Sequence, residues 1–156
     1  MSKTISVAPV TKTLTVNATQ AHAFETFTAG IDRWWPKSHG LGATPVVKST
    51  IEPRRGGRWF TVHADGSEVA VGHVQLWEPP SRLVISWEVS AQWKPDARVA
   101  SQIEVAFTAE GPRTTRVDLV HSKFEALGQE DGEKHRRDVD GGWPGLLDLF
   151  AKEAER

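Results

Sequence analysis

Val10, Leu14 and Val16 sit at even spacing among Thr and Lys, and this period of two predicts a half-buried strand ending at Asn17. The register then changes. From Thr19, a residue type suited to an N-cap, Ala23, Phe24, Phe27 and Ile31 recur at helical spacing, so the segment after the first strand is expected to form two short helices with an inward aromatic face. Trp34-Trp35-Pro36 closes it, because proline lacks an N–H and disfavours helical geometry in the residue before it. A loop rich in Gly and Pro runs to about Pro45.

Residues 46 to 121 read as a string of strands. Asp65-Gly66 signals a two-residue hairpin, and centring the turn there opposes Ala64 with Ser67, His63 with Glu68, Thr61 with Ala70, Trp59 with Gly72 and Arg58 with His73. Pro79-Pro80 marks the next reversal, with Leu76 opposite Leu83, Val74 opposite Ile85 and Gly72 opposite Trp87. Opposed residues share a face. Trp59, Gly72 and Trp87 are therefore expected side by side on one face with Val74, Leu76, Leu83, Ile85 and Val89. Arg58, His73, Gln75, Ser86 and Glu88 fall on the other, where Phe60, Val62, Val69 and Val71 are apolar exceptions. Ile103, Val105 and Phe107 alternate in the next strand, and Val117 and Leu119 in the last, whose parity carries His121 inward. Beyond residue 129 the period becomes helical: Val139, Trp143, Leu146, Leu147 and Phe150 form one stripe. Pro144 lies inside it, so the helix is either kinked there or broken near Asp140 and restarted. The order of elements predicts an α+β fold, a curved antiparallel sheet of about six to seven strands wrapped on a long C-terminal helix.

Composition narrows the function classes. At 156 residues the chain reads as one domain spanning 1–156, and 25% charged residues with a net charge of -1 exclude a broad basic footprint for nucleic acid. Zero Cys removes thiol nucleophiles, disulfides and thiolate metal sites. No run approaches the ~20 apolar residues of a membrane span and the N-terminus shows no signal-peptide core, so a cytoplasmic monomer or homodimer is expected. The aromatic inventory is skewed, with 7 Trp, 6 Phe and no Tyr.

Several separated motifs together carry a resemblance. Thr19 to Phe27, Trp34-Trp35-Pro36, Glu52-Pro53-Arg54-Arg55-Gly56-Gly57-Arg58-Trp59, Asp65-Gly66, Gly72 to Pro80, Arg82-Leu83-Val84, Trp87, Thr115 to His121 with Phe124, and Gly142-Trp143-Pro144-Gly145-Leu146 stand in the order found in the START-like (SRPBCC) superfamily. The chain resembles the branch that includes the C-terminal domain of the activator of the heat-shock-protein ATPase. The resemblance implies a helix-grip fold with a cavity between the concave sheet and the C-terminal helix. It leaves function open, since the superfamily includes lipid and hormone binders, polyketide cyclases, plant allergens and co-chaperone domains.

The candidate cavity residues are Trp34, Trp35, Trp59, Gly72, Val74, Trp87, Trp93, Phe107, His121, Trp143 and Leu146. Gly72 between two indoles either leaves open volume or lets a ring lie flat on bare backbone. An indole N–H would give the cavity a donor, favouring a carbonyl or carboxylate ligand. Trp34 and Trp35 cannot both point inward from one helical turn or one extended stretch, so one is expected at an edge, as a gate to the cavity or an anchor for the loop. Trp93 carries the same ambiguity, whereas Trp77 is expected to pack at a strand end. Only His121 is expected inward, as a ligand-orienting donor, a base or a hydrogen-bonded core residue. His63 and His73 fall on opposite faces and no His pair has i, i+4 spacing, so no metal and no cofactor is expected. The functional expectation is a module binding a small apolar or aromatic, lipid-like ligand; the alternatives are a chaperone-directed interaction domain and a cyclase- or hydrolase-type enzyme with His121 as base.

Overall fold

The computed structural model describes residues 5–156; the opening four residues, on which the expectation of no leader partly rests, lie outside it. β1 (Val10–Val16) is followed by α1 (Gln20–Phe27) and α2 (Ile31–Trp34), then by β2 (Val46–Ile51), β3 (Arg58–His63), β4 (Glu68–Glu78), β5 (Arg82–Trp87), β6 (Ser101–Gly111) and β7 (Thr114–Ser122), and finally by α3 (Gln129–Ala154). The seven strands form one antiparallel sheet in the order β1-β7-β6-β5-β4-β3-β2. α3 lies in its concavity, the helix-grip arrangement, and buries Gly132, His135, Val139, Trp143, Leu147, Phe150 and Ala154 along one stripe. The helix runs unbroken through Pro144. Among the described residues no helix is long and apolar enough to cross a membrane.

The aromatic face of α1 forms the closed end of the core. Thr19 caps the helix, its Oγ1 accepting from His22 N at 3.2 Å. Phe24 and Phe27 then pack edge-on against Phe107 at centroid distances of 5.3 and 5.9 Å, and Phe27 meets Phe150 of α3 at 5.3 Å. Trp77 packs edge-on against Phe24 at 5.1 Å, the strand-end role expected of it.

Two registers differ from the alternation. The β3–β4 turn is closed by Gly66 N donating to His63 O, with Gly66 at φ +86° and His63 N donating to Ser67 O, so the connection is a β-turn plus a left-handed glycine. That extra residue moves the pairing by one, giving Val62 opposite Glu68, Thr61 opposite Val69 and Phe60 opposite Ala70. A bulge then restores Trp59 opposite Gly72 and Arg58 opposite His73. Val71, expected on the outer face, is the surplus residue of the bulge and is buried instead. In β4–β5, Val74 opposes Ile85, but a second bulge puts Trp77 rather than Leu76 opposite Leu83. The outward positions Ser86 and Glu88 are buried, since the Glu88 carboxylate accepts from Ser86 Oγ at 2.6 Å and bonds His73 Nδ1 at 2.7 Å.

Candidate functional site

The open end of the core is built from indoles. α2 ends between Trp34 and Trp35: Trp34 is its last helical residue, and Trp35 turns to φ −69°, ψ 124°. This switch of backbone lets both side chains point inward, contrary to the expectation from a single regular segment, and both are buried. Trp34 is the anchor, donating from Nε1 to Thr26 O at 2.9 Å. Trp35 meets Trp59 at 5.2 Å, Trp87 at 6.2 Å and Trp143 at 6.2 Å between centroids.

Beside this cluster lies a cavity of about 270 Å³. Trp35, Trp87, Trp143, Val139 and Leu146 supply apolar wall, the 39–41 loop and Val71 close one side, and Trp93 and Asp138 stand at the rim with Thr61 as a polar wall residue. Of the candidates, Trp35, Trp87, Trp93, Trp143 and Leu146 line it. Trp34, Trp59, Val74, Phe107 and His121 are buried in the surrounding core and lie outside the lining.

Gly72 also lies outside the lining, and neither expected role fits it. A Cβ built there would sit 1.8 Å from the Ser86 carbonyl oxygen, so glycine is required for the close approach of β4 to β5.

The indole N–H groups are mostly spent inside the protein. Trp143 Nε1 donates to His121 Nδ1 at 3.1 Å, so the ring proton of His121 sits on Nε2, which faces Ser101 Oγ at 2.8 Å. Trp87 Nε1 donates to His135 Nε2 at 2.9 Å, which puts the His135 proton on Nδ1, a buried atom with no partner. Burial pushes both imidazoles down, His121 to about 3 and His135 to about 4, so both are neutral acceptors at neutral pH. His121 is thus a fully satisfied core residue without exposure to the cavity.

Two further inward histidines were not expected. His135 lies four residues before Val139, so the helical stripe carried back one turn includes it; His63 shares the parity of Trp59. Both are buried. Asp138 and the 39–41 loop carry no such periodic signal.

Trp93 adopts φ +60°, a left-handed conformation uncommon for a bulky residue. Three contacts hold it there. Its ring lies 4.9 Å from that of His135 and 6.4 Å from that of Trp87, and its Nε1 donates to Asp138 Oδ2 at 3.4 Å. Lys134 donates to the same carboxylate at 2.8 Å, and this ammonium holds the Asp138 carboxyl below the usual carboxylate range. The rim therefore carries an ion pair in which the Asp138 carboxylate is held ionised by Lys134. Among the described residues no group of three or more His, Asp or Glu gathers within metal-binding reach.

The family model of activator of Hsp90 ATPase homolog 1-like proteins matches residues 17–155, spanning both short helices, the sheet from β2 onward and α3. The chain belongs to that family. None of the curated proteins matches it in sequence. Among solved structures, this family member is similar to Txn09, an anthrahydroquino-gamma-pyrone synthase complexed with SUM. The two are 37% identical, with a TM-score of 0.66 and coverage of 94% of this chain and 96% of that one. It is also similar to CalC, a self-sacrificing resistance protein from Micromonospora echinospora, at 29% identity, TM-score 0.70 and coverage of 94% and 93%. A protein from Mesorhizobium loti shares the fold at 17% identity and TM-score 0.68, covering 93% and 95%.

Proposed function

We propose that the protein binds a small planar aromatic molecule bearing hydroxyl or carbonyl groups in the cavity between the sheet and α3. The observation that carries this reading is the cavity itself, about 270 Å³ and walled by Trp35, Trp87 and Trp143. That volume is close to the ~300 Å³ at the small end of ligand pockets, which are mostly apolar with a few placed polar groups. Those groups are the Trp35 indole, Thr61, and Asp138 at the rim. A ligand carbonyl suits the indole N–H, and a ligand hydroxyl suits the carboxylate. The likeness to a pyrone synthase of polycyclic aromatic chemistry supports the same ligand class.

Titrating intrinsic Trp emission with a hydroxyanthraquinone tests the reading. Saturable quenching is expected, with none from a long-chain fatty acid; an unchanged spectrum with the quinone would sink it. The Asp138 charge argues against the carboxylate ligands that free indole donors would have favoured. Asp138→Asn is accordingly expected to tighten binding of a naphthoate by about 1 kcal/mol, roughly fivefold, and this gain should shrink as salt is added. Equal naphthoate affinity in both proteins would remove the role given to Asp138.

The chaperone-directed reading is supported by the family description alone. Stimulation of a chaperone ATPase by the purified protein is its direct test.

A further inference from the structure

Thr61 and His63 are two residues apart on β3 and face the same side, which places Thr61 in the cavity wall and the imidazole next to it, outside the lining. Thr61 Oγ1 lies 2.8 Å from His63 Nε2, and His63 Nδ1 lies 2.6 Å from Thr44 O. A carbonyl oxygen only accepts, so Nδ1 carries a ring proton, and in that tautomer Nε2 offers its lone pair to the Thr61 hydroxyl. Hydroxyl, base and orienting group stand in one line, the arrangement that activates a side-chain hydroxyl. The covering loop is shaped around the ring. A Cβ at Gly42 would meet three imidazole atoms at 2.8–3.0 Å and one at Gly40 would meet Cε1 at 3.0 Å, so bare backbone lies against the imidazole and leaves it 1% exposed.

We propose that Thr61 and His63 form a proton relay serving the cavity, acting on aromatic ligands that carry an acidic C–H beside a carbonyl or an equivalent electron sink. Thr61 is the catalytic residue, touching the ligand; His63 is a positioning residue that takes the proton through it. As the ligand C–H bond breaks, its proton passes to Thr61 Oγ1 while the Thr61 proton moves to His63 Nε2. The bond's electron pair is left on the ligand as an enolate, and the resulting imidazolium keeps its Nδ1–H on Thr44 O. Reversal of the relay reprotonates the ligand or releases the proton to water.

The inference rests on the cavity being a ligand site, and one probe separates the two claims. A nitrobenzisoxazole is a small aromatic whose C–H loss drives its own N–O cleavage to a coloured cyanophenolate, with no other reactant. Binding is read from Trp quenching and turnover from the phenolate colour. The wild-type protein is expected to bind the probe and open it faster than buffer does. Thr61→Val and His63→Gln should each lower kcat about 100-fold, in line with the loss of a general base, with the probe still quenching Trp emission and KM unchanged in His63→Gln, whose side chain lies outside the lining, and Thr61→Ser should restore kcat. Quenching without turnover above buffer overturns the relay and leaves the binding site standing, as does an unchanged kcat in Thr61→Val. Loss confined to KM in either variant assigns the pair a structural role and also overturns it. Neither quenching nor turnover removes both claims together.

Discussion

Lowering the pH from about 6.5 to about 4.5 is expected to strip several kcal/mol from the stability of this protein, and His121 and His135 are the cause. Both rings are buried, and each accepts a hydrogen bond on the nitrogen that an added proton would have to occupy. Their folded-state values, about 3 and about 4, lie below the ~6.5 of an unfolded histidine. In the window between, the unfolded chain takes up protons and the folded one does not, so their contribution is complete above ~6.5 and falls as pH drops. Each histidine removes roughly 1 kcal/mol per pH unit there, against total stabilities of about 5–15 kcal/mol. Carboxylates such as Asp138, held low by their partners, bind protons below this window and do not mask it. Urea midpoints followed by Trp emission across this range should slope steeply in the wild type. The slope should be about halved in His121→Gln, whose amide can still accept from Trp143 and donate to Ser101. A flat wild-type profile, or an unchanged slope in the variant, would refute the assignment.

The same two histidines show how far the sequence reaches. His121 was legible because β7 alternates without interruption, and nothing between Val117 and His121 breaks the parity. His135 was equally legible in principle, one turn before Val139, but polar residues crowd that part of α3 and hide the stripe. Strand faces were readable wherever pairing is regular and misread where one residue is surplus. Val71 is itself such a residue, and its inward placement, like the pairing of Trp77 with Leu83, depends on a bulge that no alternation announces. The cavity combines both cases. Trp87, Trp143 and Leu146 follow from periodicity, whereas Trp93, Asp138 and the 39–41 loop are placed by a left-handed backbone, an ion pair and the packing of glycines on His63. Trp35 points inward because a helix ends one residue before it, a boundary that the proline marks only to within a residue or two.

Gly72→Val is expected to abolish the folded state, with a loss above about 4 kcal/mol, because no side chain can relieve the contact it makes. The nearest atoms to a Cβ at this position are the Ser86 carbonyl oxygen at 1.8 Å and its carbon at 2.8 Å, both backbone of β5. Relief would require β4 and β5 to separate at the point where Glu88 N donates to Val71 O at 2.7 Å and His73 N to Ser86 Oγ at 2.8 Å. Those bonds hold the bulge that turns Val71 into the cavity, so even Gly72→Ala should cost more than the ~1–3 kcal/mol of ordinary overpacking. Gly141 supplies the contrast. It lies on the exposed face of α3 with nothing within 4 Å of a built Cβ, and Gly141→Ala should add about 0.5–1 kcal/mol through helix propensity and a less flexible unfolded chain. Urea unfolding of the two alanine variants side by side makes the comparison. A Gly72→Ala protein as stable as wild type would mean that β4 and β5 do not approach this closely, and the bulged geometry that shapes the cavity wall would fall with it.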